Sequence, residues 1–269
     1  MKRKLILIVG VLIIAMSLLA VGCGGQDAAN QENENQGTEE TAGEQEQVLK
    51  FAMSGAYKPF NYYNENNELT GFDVEIGKAL AEQMGVKPEP IATPWQGIIA
   101  GLKAERYDAI IGSMTITEER EEQVDFAGPY YVSGAQLFVA PDSNIKGIKD
   151  INDDVTVGVT ISTVYEEKAR DYTSSVKTYD SDVTALRDLA QGRTDAVITD
   201  RFVGMLAAED SGLEVKPVGD LLFVENIGIA VREGEDELKE QLNQALKEIQ
   251  KDGTYLQISE KYFDTDISK

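Results

Sequence analysis

Residues 155–200 read VTVGVTISTVYEEKARDYTSSVKTYDSDVTALRDLAQGRTDAVITD, and their rhythm decides the fold class. Val155 to Val159 is a short apolar, β-branched run, the pattern of a strand buried on both faces. A helical stretch follows from about Thr163 to Arg170, and Val176 to Tyr179 reads as a second strand. Asp182 to Gln191 has helical spacing and is stopped by Gly192. Asp195 to Asp200 is a third strand, and Phe202 to Glu209 a further helix. A parallel strand pair needs a crossover, and a helix supplies it. Alternation at this interval therefore indicates an α/β fold with largely parallel sheets.

The same alternation extends outward. Val48 to Ser54 reads as a first strand. Asp73 to Met84 reads as a helix with Ile76, Ala79, Leu80 and Met84 on one face and Gly85 ending it. Thr93-Pro94-Trp95 has the form of a helix start, with Thr93 as N-cap and Pro94 in the first position. Ile98, Ile99 and Leu102 continue its apolar face, and Asp108 to Gly112 is a short strand. Toward the C-terminus, Leu238, Leu242, Ala245, Leu246 and Ile249 mark a long amphipathic helix ending at Asp252-Gly253. One last short helix runs through Tyr262. No segment repeats internally.

The first 47 residues read differently. Lys2, Arg3 and Lys4 precede an apolar run from Leu5 to Val21, then Gly22 and Cys23. Charge, apolar core and small residue in that order describe an export signal. Leu19-Ala20-Val21-Gly22-Cys23 resembles a bacterial lipobox, departing from it at Ala20, where Leu is commoner. Cleavage before Cys23 and diacylation would hold the protein on the outer face of a cell membrane, since stable anchoring takes two acyl chains. Residues 24–47 hold no aromatic residue, no Lys and no Arg. Such a segment buries too little apolar surface to offset its ordering, and is expected to be a disordered acidic tether. Residues 48–269 remain, enough for two lobes.

Composition excludes several functions. The chain of 269 residues carries 25 basic and 47 acidic residues, a formal charge of −22. Nucleic acid needs a basic footprint, so no nucleic-acid partner is expected. There is no histidine and one cysteine, Cys23. Histidine-dependent triads and zinc sites are therefore excluded. Asp180-Ser181-Asp182 and Asn152-Asp153-Asp154 lack the glycine and distal Glu of a calcium loop, so turn and cap roles are expected. The reading calls for no metal, no cofactor and no catalytic residue.

Four stretches share a family likeness. They are Tyr57-Lys58-Pro59-Phe60 with Leu69-Thr70-Gly71-Phe72-Asp73-Val74-Glu75; Thr115-Ile116-Thr117-Glu118-Glu119-Arg120 with Val124-Asp125-Phe126-Ala127-Gly128-Pro129-Tyr130; Gly192-Arg193-Thr194-Asp195-Ala196-Val197-Ile198-Thr199-Asp200; and Asp252-Gly253-Thr254-Tyr255. In this order and spacing the chain resembles the family 3 solute-binding proteins of polar amino-acid ABC importers. The resemblance implies a two-lobe, type II periplasmic-binding-protein-like α/β fold with two crossover hinge strands. Residues 48–131 and 228–269 would form one lobe and 132–227 the other. It also implies a free amino acid as ligand, an ABC permease as partner, and a monomer with no enzymatic activity.

A free amino acid is a zwitterion and needs an anion site and a cation site. The family's carboxylate-binding arginine falls at Arg120, whose planar guanidinium suits a carboxylate. From local sequence alone, Arg120 reads rather as a surface charge among Glu118, Glu119, Glu121 and Glu122, and it is the resemblance that reverses this. Thr115 and Ser113 would line the same wall. Ser162 and Thr163 stand where the opposite lobe would offer a second carboxylate grip, and Thr163 reads equally as an N-cap. Asp200, at the end of a strand, is the candidate for the α-ammonium or a cap for the helix after it. Trp95 and Tyr57 are candidate walls, or core. Ser54 and Thr199 would set specificity. Neither is charged, which favours a neutral or polar ligand, with cystine or cysteine first and glutamine second. An enzyme on the same fold, dehydratase-like, and a binder of basic amino acids are the alternatives.

Overall fold

The computed structural model describes residues 47–210 and 212–269. The expected export signal, Cys23 and the tether as far as Glu46 lie outside the described residues. The first strand, β1 (Val48–Met53), ends in Phe51, Ala52 and Met53, all fully buried. A three-stranded antiparallel sheet follows: β2 (Ala56–Tyr57), β3 (Asn61–Tyr63) and β4 (Leu69–Thr70). These strands are too short to carry a readable period in sequence.

Helix α1 (Phe72–Gln83) starts immediately after Gly71. Gly71 has φ +120°, and a Cβ there would strike the Phe60 carbonyl, so only glycine fits. Phe72 is fully buried within an aromatic cluster with Phe60, Tyr130, Tyr131, Tyr255 and Phe263. Burying one such ring contributes about 1.5–3 kcal/mol. The Gly71-Phe72-Asp73 stretch thus combines a turn that excludes side chains, a core ring and, as described below, a buried acid.

Next come β5 (Lys87–Ala92), α2 (Ile98–Lys103), β6 (Ala109–Thr115) and the single turn α3 (Glu118–Glu121). Two expectations are corrected here. Helix α2 begins at Ile98 and not at Pro94, because Gly97 takes a left-handed conformation (φ +82°) before the first helical residue. The Thr93 N–H donates to the Met53 carbonyl, which keeps Thr93 beside β1, and Trp95 sits in the turn preceding the helix. Strand β6 runs on to Thr115 and does not stop at Gly112, so Ser113 and Thr115 stand at its carboxyl end.

The rest comprises β7 (Val124–Val139), β8 (Val157–Thr160), α4 (Val164–Arg170), β9 (Val176–Tyr179), α5 (Asp182–Ala190), β10 (Ala196–Asp200), α6 (Arg201–Asp210), β11 (Lys216–Arg232), α7 (Asp236–Lys251) and α8 (Thr254–Phe263). Strands β8 and β10 are buried along their whole length, as continuous apolar runs require.

The eight-stranded sheet has the order β5-β1-β6-β11-β7-β10-β8-β9. Its two ends, β5-β1-β6 and β10-β8-β9, are parallel. The centre is antiparallel: β11 opposes both β6 and β7, and β7 opposes β10. The sheet is therefore mixed, correcting the expectation of largely parallel pairing. Strands β7 and β11 pair with one another from Arg232 opposite Val124 to Lys216 opposite Val139, with register breaks between Val218 and Phe223 and between Ile227 and Ile229. They run from one parallel end to the other. Their length is hidden in sequence because Gly128-Pro129 and Gly134 interrupt β7, and Pro217, Gly219 and Gly228 interrupt β11.

Three buried apolar clusters pack the sheet. One includes Phe51, Phe72 and Leu80 together with Leu242 and Ile249 of α7. A second lies under β8 and β10, with Leu137, Val159, Tyr165 and Ile198. A third gathers Ile98, Leu102, Tyr107, Ile110 and Met114. Among the described residues, no helix is long and apolar enough to cross a membrane.

Candidate functional site

The carboxyl ends of β1 and β6 face those of β8 and β9, which is where ligands collect in open α/β sheets. Between them lies a cavity. Ser54, Tyr57, Trp95, Ser113, Thr115 and Arg120 line it from one side. Thr160, Thr163, Val164, Tyr165, Asp180, Ser181 and Asp182 line it from the other.

Arg120 is held in place. Thr117 caps α3 by accepting the Arg120 N–H, 3.3 Å, and the Arg120 Nη1 donates to the Thr115 carbonyl, 2.7 Å. The guanidinium carbon lies 5.6 Å from the Trp95 ring centroid, a cation–π contact. Burial lowers its pKa, while Glu167 and Glu225 oppose that. Among the described residues lining the cavity, Arg120 is the one cation.

The wall beside it is braced by a buried acid. The Asp73 carboxylate accepts from Tyr130 OH (2.7 Å), Ser113 Oγ (2.8 Å) and Asn61 Nδ2 (2.7 Å). Asn61 Oδ1 in turn accepts from Ser54 Oγ and the Gly55 N–H, 2.9 Å each. Desolvation pushes Asp73 up to about 6 against the pull of its three donors. Ser113 has φ +61°, a backbone conformation costly for a residue with a side chain and one that clusters at functional sites. The Ser54 and Ser113 hydroxyls are therefore already engaged by the protein.

The two sides touch directly. Trp95 Nε1 donates to the Ser162 carbonyl, 3.1 Å, and the Tyr57 and Tyr165 hydroxyls lie 3.2 Å apart. Glu225, on β11, joins them from behind. Its Oε1 accepts from Thr115 Oγ1 (2.8 Å) and its Oε2 from Tyr165 OH (3.0 Å). Glu225 is 1% exposed. Burial first, and then the neighbouring Asp200 charge, push it up to about 7 against Thr115, Tyr165 and Arg120.

Three expected site residues lie off the cavity wall. Asp200 is 1% exposed, and its Oδ1 accepts from the Phe202 N–H (2.7 Å) and the Val203 N–H (3.3 Å) at the start of α6. Burial pushes it up to about 6. Thr199 is fully buried and donates its hydroxyl to Asp182 Oδ1, 2.6 Å. Ser162 is exposed with φ +60°, its N–H donating to Glu166 Oε2, 2.8 Å. Thr163 lines the cavity while also capping α4. Its Oγ1 donates to the Thr160 carbonyl (2.6 Å) and accepts from the Glu166 N–H (3.4 Å).

Two residues not expected from sequence also stand here, Asp182 on the wall and Glu225 behind it. Asp182 reads locally as the first residue of a helix, and Glu225 sits in a strand whose pattern is broken. The pairing of β9 with β8 and of β11 with β6 brings them in. Among the described residues, no group of acids could hold a metal ion. The cavity thus offers a fixed guanidinium, aromatic walls and the buried Asp182 carboxylate, a set suited to non-covalent capture of a small ligand bearing both charges.

The family described as bacterial extracellular solute-binding proteins, family 3, matches residues 49–265. The L-cystine-binding protein TcyJ of Escherichia coli is 35% identical over 226 residues, covering 82% of this chain and 85% of that protein. A solved ancestral arginine-binding protein bound to glutamine superposes with TM-score 0.76 at 38% identity, covering 80% of this chain and 97% of that one. The ancestral amino acid-binding protein AncCDT-1, a precursor of cyclohexadienyl dehydratase, superposes with TM-score 0.75 at 36% identity, covering 80% and 95%.

Proposed function

Because the chain belongs to the bacterial extracellular solute-binding proteins of family 3, we propose that it captures a free amino acid in the cavity between its two parallel sheet ends and delivers it to an ABC permease. The observation that carries this reading is Arg120, fixed by the Thr115 carbonyl and the Trp95 ring on the cavity wall. It would hold the ligand's α-carboxylate. The α-ammonium is assigned to Asp200, which stands behind the wall at the carboxyl end of β10, next to Thr199, the hydrogen-bond partner of the wall residue Asp182. Charge-assisted hydrogen bonds contribute about 1.5–3 kcal/mol each. A few of them, less the costs of association, reach the roughly −8 kcal/mol of micromolar binding.

We take β7 and β11 as the crossover strands, with residues 48–131 and 228–269 in one lobe and 132–227 in the other. The ligand must touch both lobes, because only differential affinity shifts an open–closed balance. Arg120 and Asp200 fall on different sides of that division. Cystine is the favoured ligand, supported by the likeness to TcyJ, with cysteine and glutamine after it. The mature chain is proposed to be a monomer, lipid-anchored through Cys23 on the outer face of the membrane and free of catalytic activity.

An enzymatic reading draws on one observation, the buried Glu225 pushed up to about 7, a value suited to general acid work. Both its oxygens are occupied by Thr115 and Tyr165, and it does not line the cavity, which favours binding over chemistry. A thermal-shift screen against the amino acids and cystine tests the proposal, since a ligand raises Tm by mass action. No shift with any of them refutes amino-acid capture, and product formation on incubation refutes the assignment as a pure binder.

A further inference from the structure

The acids of the cavity outnumber its cations, and one acid is placed to read the ligand's side chain. Asp182 is 4% exposed yet lies on the cavity wall, so what it exposes faces the ligand space. It has no Lys or Arg partner among the described residues. Its orientation is fixed from behind by the Thr199 hydroxyl, 2.6 Å from Oδ1. On the same wall stands Thr160, 6% exposed, whose hydroxyl lies beside the Asp182 carboxylate and favours its charged form. A buried carboxylate without a cation is costly unless something pairs with it. Burial accordingly raises the Asp182 pKa.

A zwitterion with one ammonium and one carboxylate leaves this excess uncompensated. With Arg120 on the carboxylate and Asp200 assigned to the ammonium from behind the wall, Asp182, the buried acid that lines the cavity, faces it without a cation. Resting on the amino-acid reading above, we propose that Asp182 is the specificity-determining residue of the site, pairing with a second cationic nitrogen on the bound amino acid. The ligand class is then an amino acid with two cationic nitrogens. Cystine, with its second α-ammonium, belongs to it, as do lysine and arginine, whereas cysteine and glutamine do not. The uncharged Ser54 does not contradict this, because the charge comes from the opposite wall. Thr199 contributes by orienting Asp182 without touching the ligand.

Calorimetric titration of the wild type, Asp182→Asn and Thr199→Val tests the assignment. The ligands are L-cystine, L-lysine and L-arginine against L-glutamine and S-methyl-L-cysteine. The wild type is expected to bind one of the first three at least about tenfold more tightly than the last two, a difference of 1.4 kcal/mol. Asp182→Asn is expected to weaken that ligand about tenfold or more while a single-ammonium ligand changes by less than threefold. Thr199→Val, which keeps the carboxylate, is expected to narrow the preference in the same direction. If Asp182→Asn does not fold, an unchanged preference in Thr199→Val overturns the proposal. A wild-type preference for the single-ammonium ligands overturns it without any variant. Equal weakening of both groups overturns it too, since Asp182 then serves the α-ammonium or the fold. Failure of the wild type to bind any of the five overturns the ligand class, a blank screen against all the amino acids and cystine refutes amino-acid capture itself, and wrong preference with binding intact refutes only the role of Asp182.

Discussion

Replacing Glu225 with glutamine makes a buried charge optional, and its effect on stability is calculable. The folded carboxyl is pushed up to about 7 from an ordinary value of 4.5. Between those two values the folded state holds a proton that the unfolded chain has released. Stability from this group is thus fully present below pH 4.5 and is lost as pH rises through 7. A displacement of that size corresponds to about 3 kcal/mol. Glutamine is of the same shape, can still accept from Thr115 and reach Tyr165, and has no proton to lose. The ligand-free Glu225→Gln protein should therefore match the wild type near pH 4 and exceed it by about 3 kcal/mol at pH 8. Urea unfolding at the two pH values measures this directly. Parallel stability curves for the two proteins, with a constant offset, would refute the argument that burial and the Asp200 charge govern Glu225.

Other perturbations have equally definite outcomes. Arg120→Ala should cost about 2–5 kcal/mol of ligand affinity by calorimetry while circular dichroism stays native; near-wild-type binding rules out Arg120 as the carboxylate grip. Trp95 is the chain's single tryptophan and lines the cavity. Ligand should therefore change the intrinsic fluorescence of the wild type, and Trp95→Phe should abolish the signal and weaken binding through loss of the Ser162 bond. Asp73→Asn replaces an acceptor of three donors with an amide that must point its NH₂ at one of them. A loss of about 1–3 kcal/mol is expected in thermal melts at neutral pH, and an unchanged Tm would contradict the bracing role. Cys23→Ala should release the exported protein from the membrane fraction in a fractionation assay; continued membrane association would exclude the proposed anchor.

The outer parts of the sheet were legible in sequence because their strands are short, apolar and separated by helices with clear stops such as Gly85 and Gly192. The two central strands were not, since a strand crossing the whole molecule changes its environment along its length. β11 passes from half-exposed Val218 through buried Glu225 to buried Ile229, and no single period describes it. The start of α2 was misread because Pro94 signals a helix while Gly97, three residues on, determines it by its left-handed turn. At the site, Arg120, Thr115 and Ser113 could be located because one motif carries them through consecutive elements. Asp182 and Glu225 could not, because a carboxylate beginning a helix or sitting within a strand looks ordinary until pairing partners distant in sequence bring it to the cavity.

The last helix carries a consequence for how the molecule assembles. Tyr255 OH donates to the Tyr130 carbonyl, Phe263 packs on Phe60 and Phe72, and Lys261 and Tyr262 both reach Glu75, across 186 and 187 residues. The aromatic core begun near the start of the domain is therefore finished by its final twenty residues. The core stays incomplete until residues 255–263 have joined it. Trimming the tail beyond Gly253 should leave a species that collapses without locking.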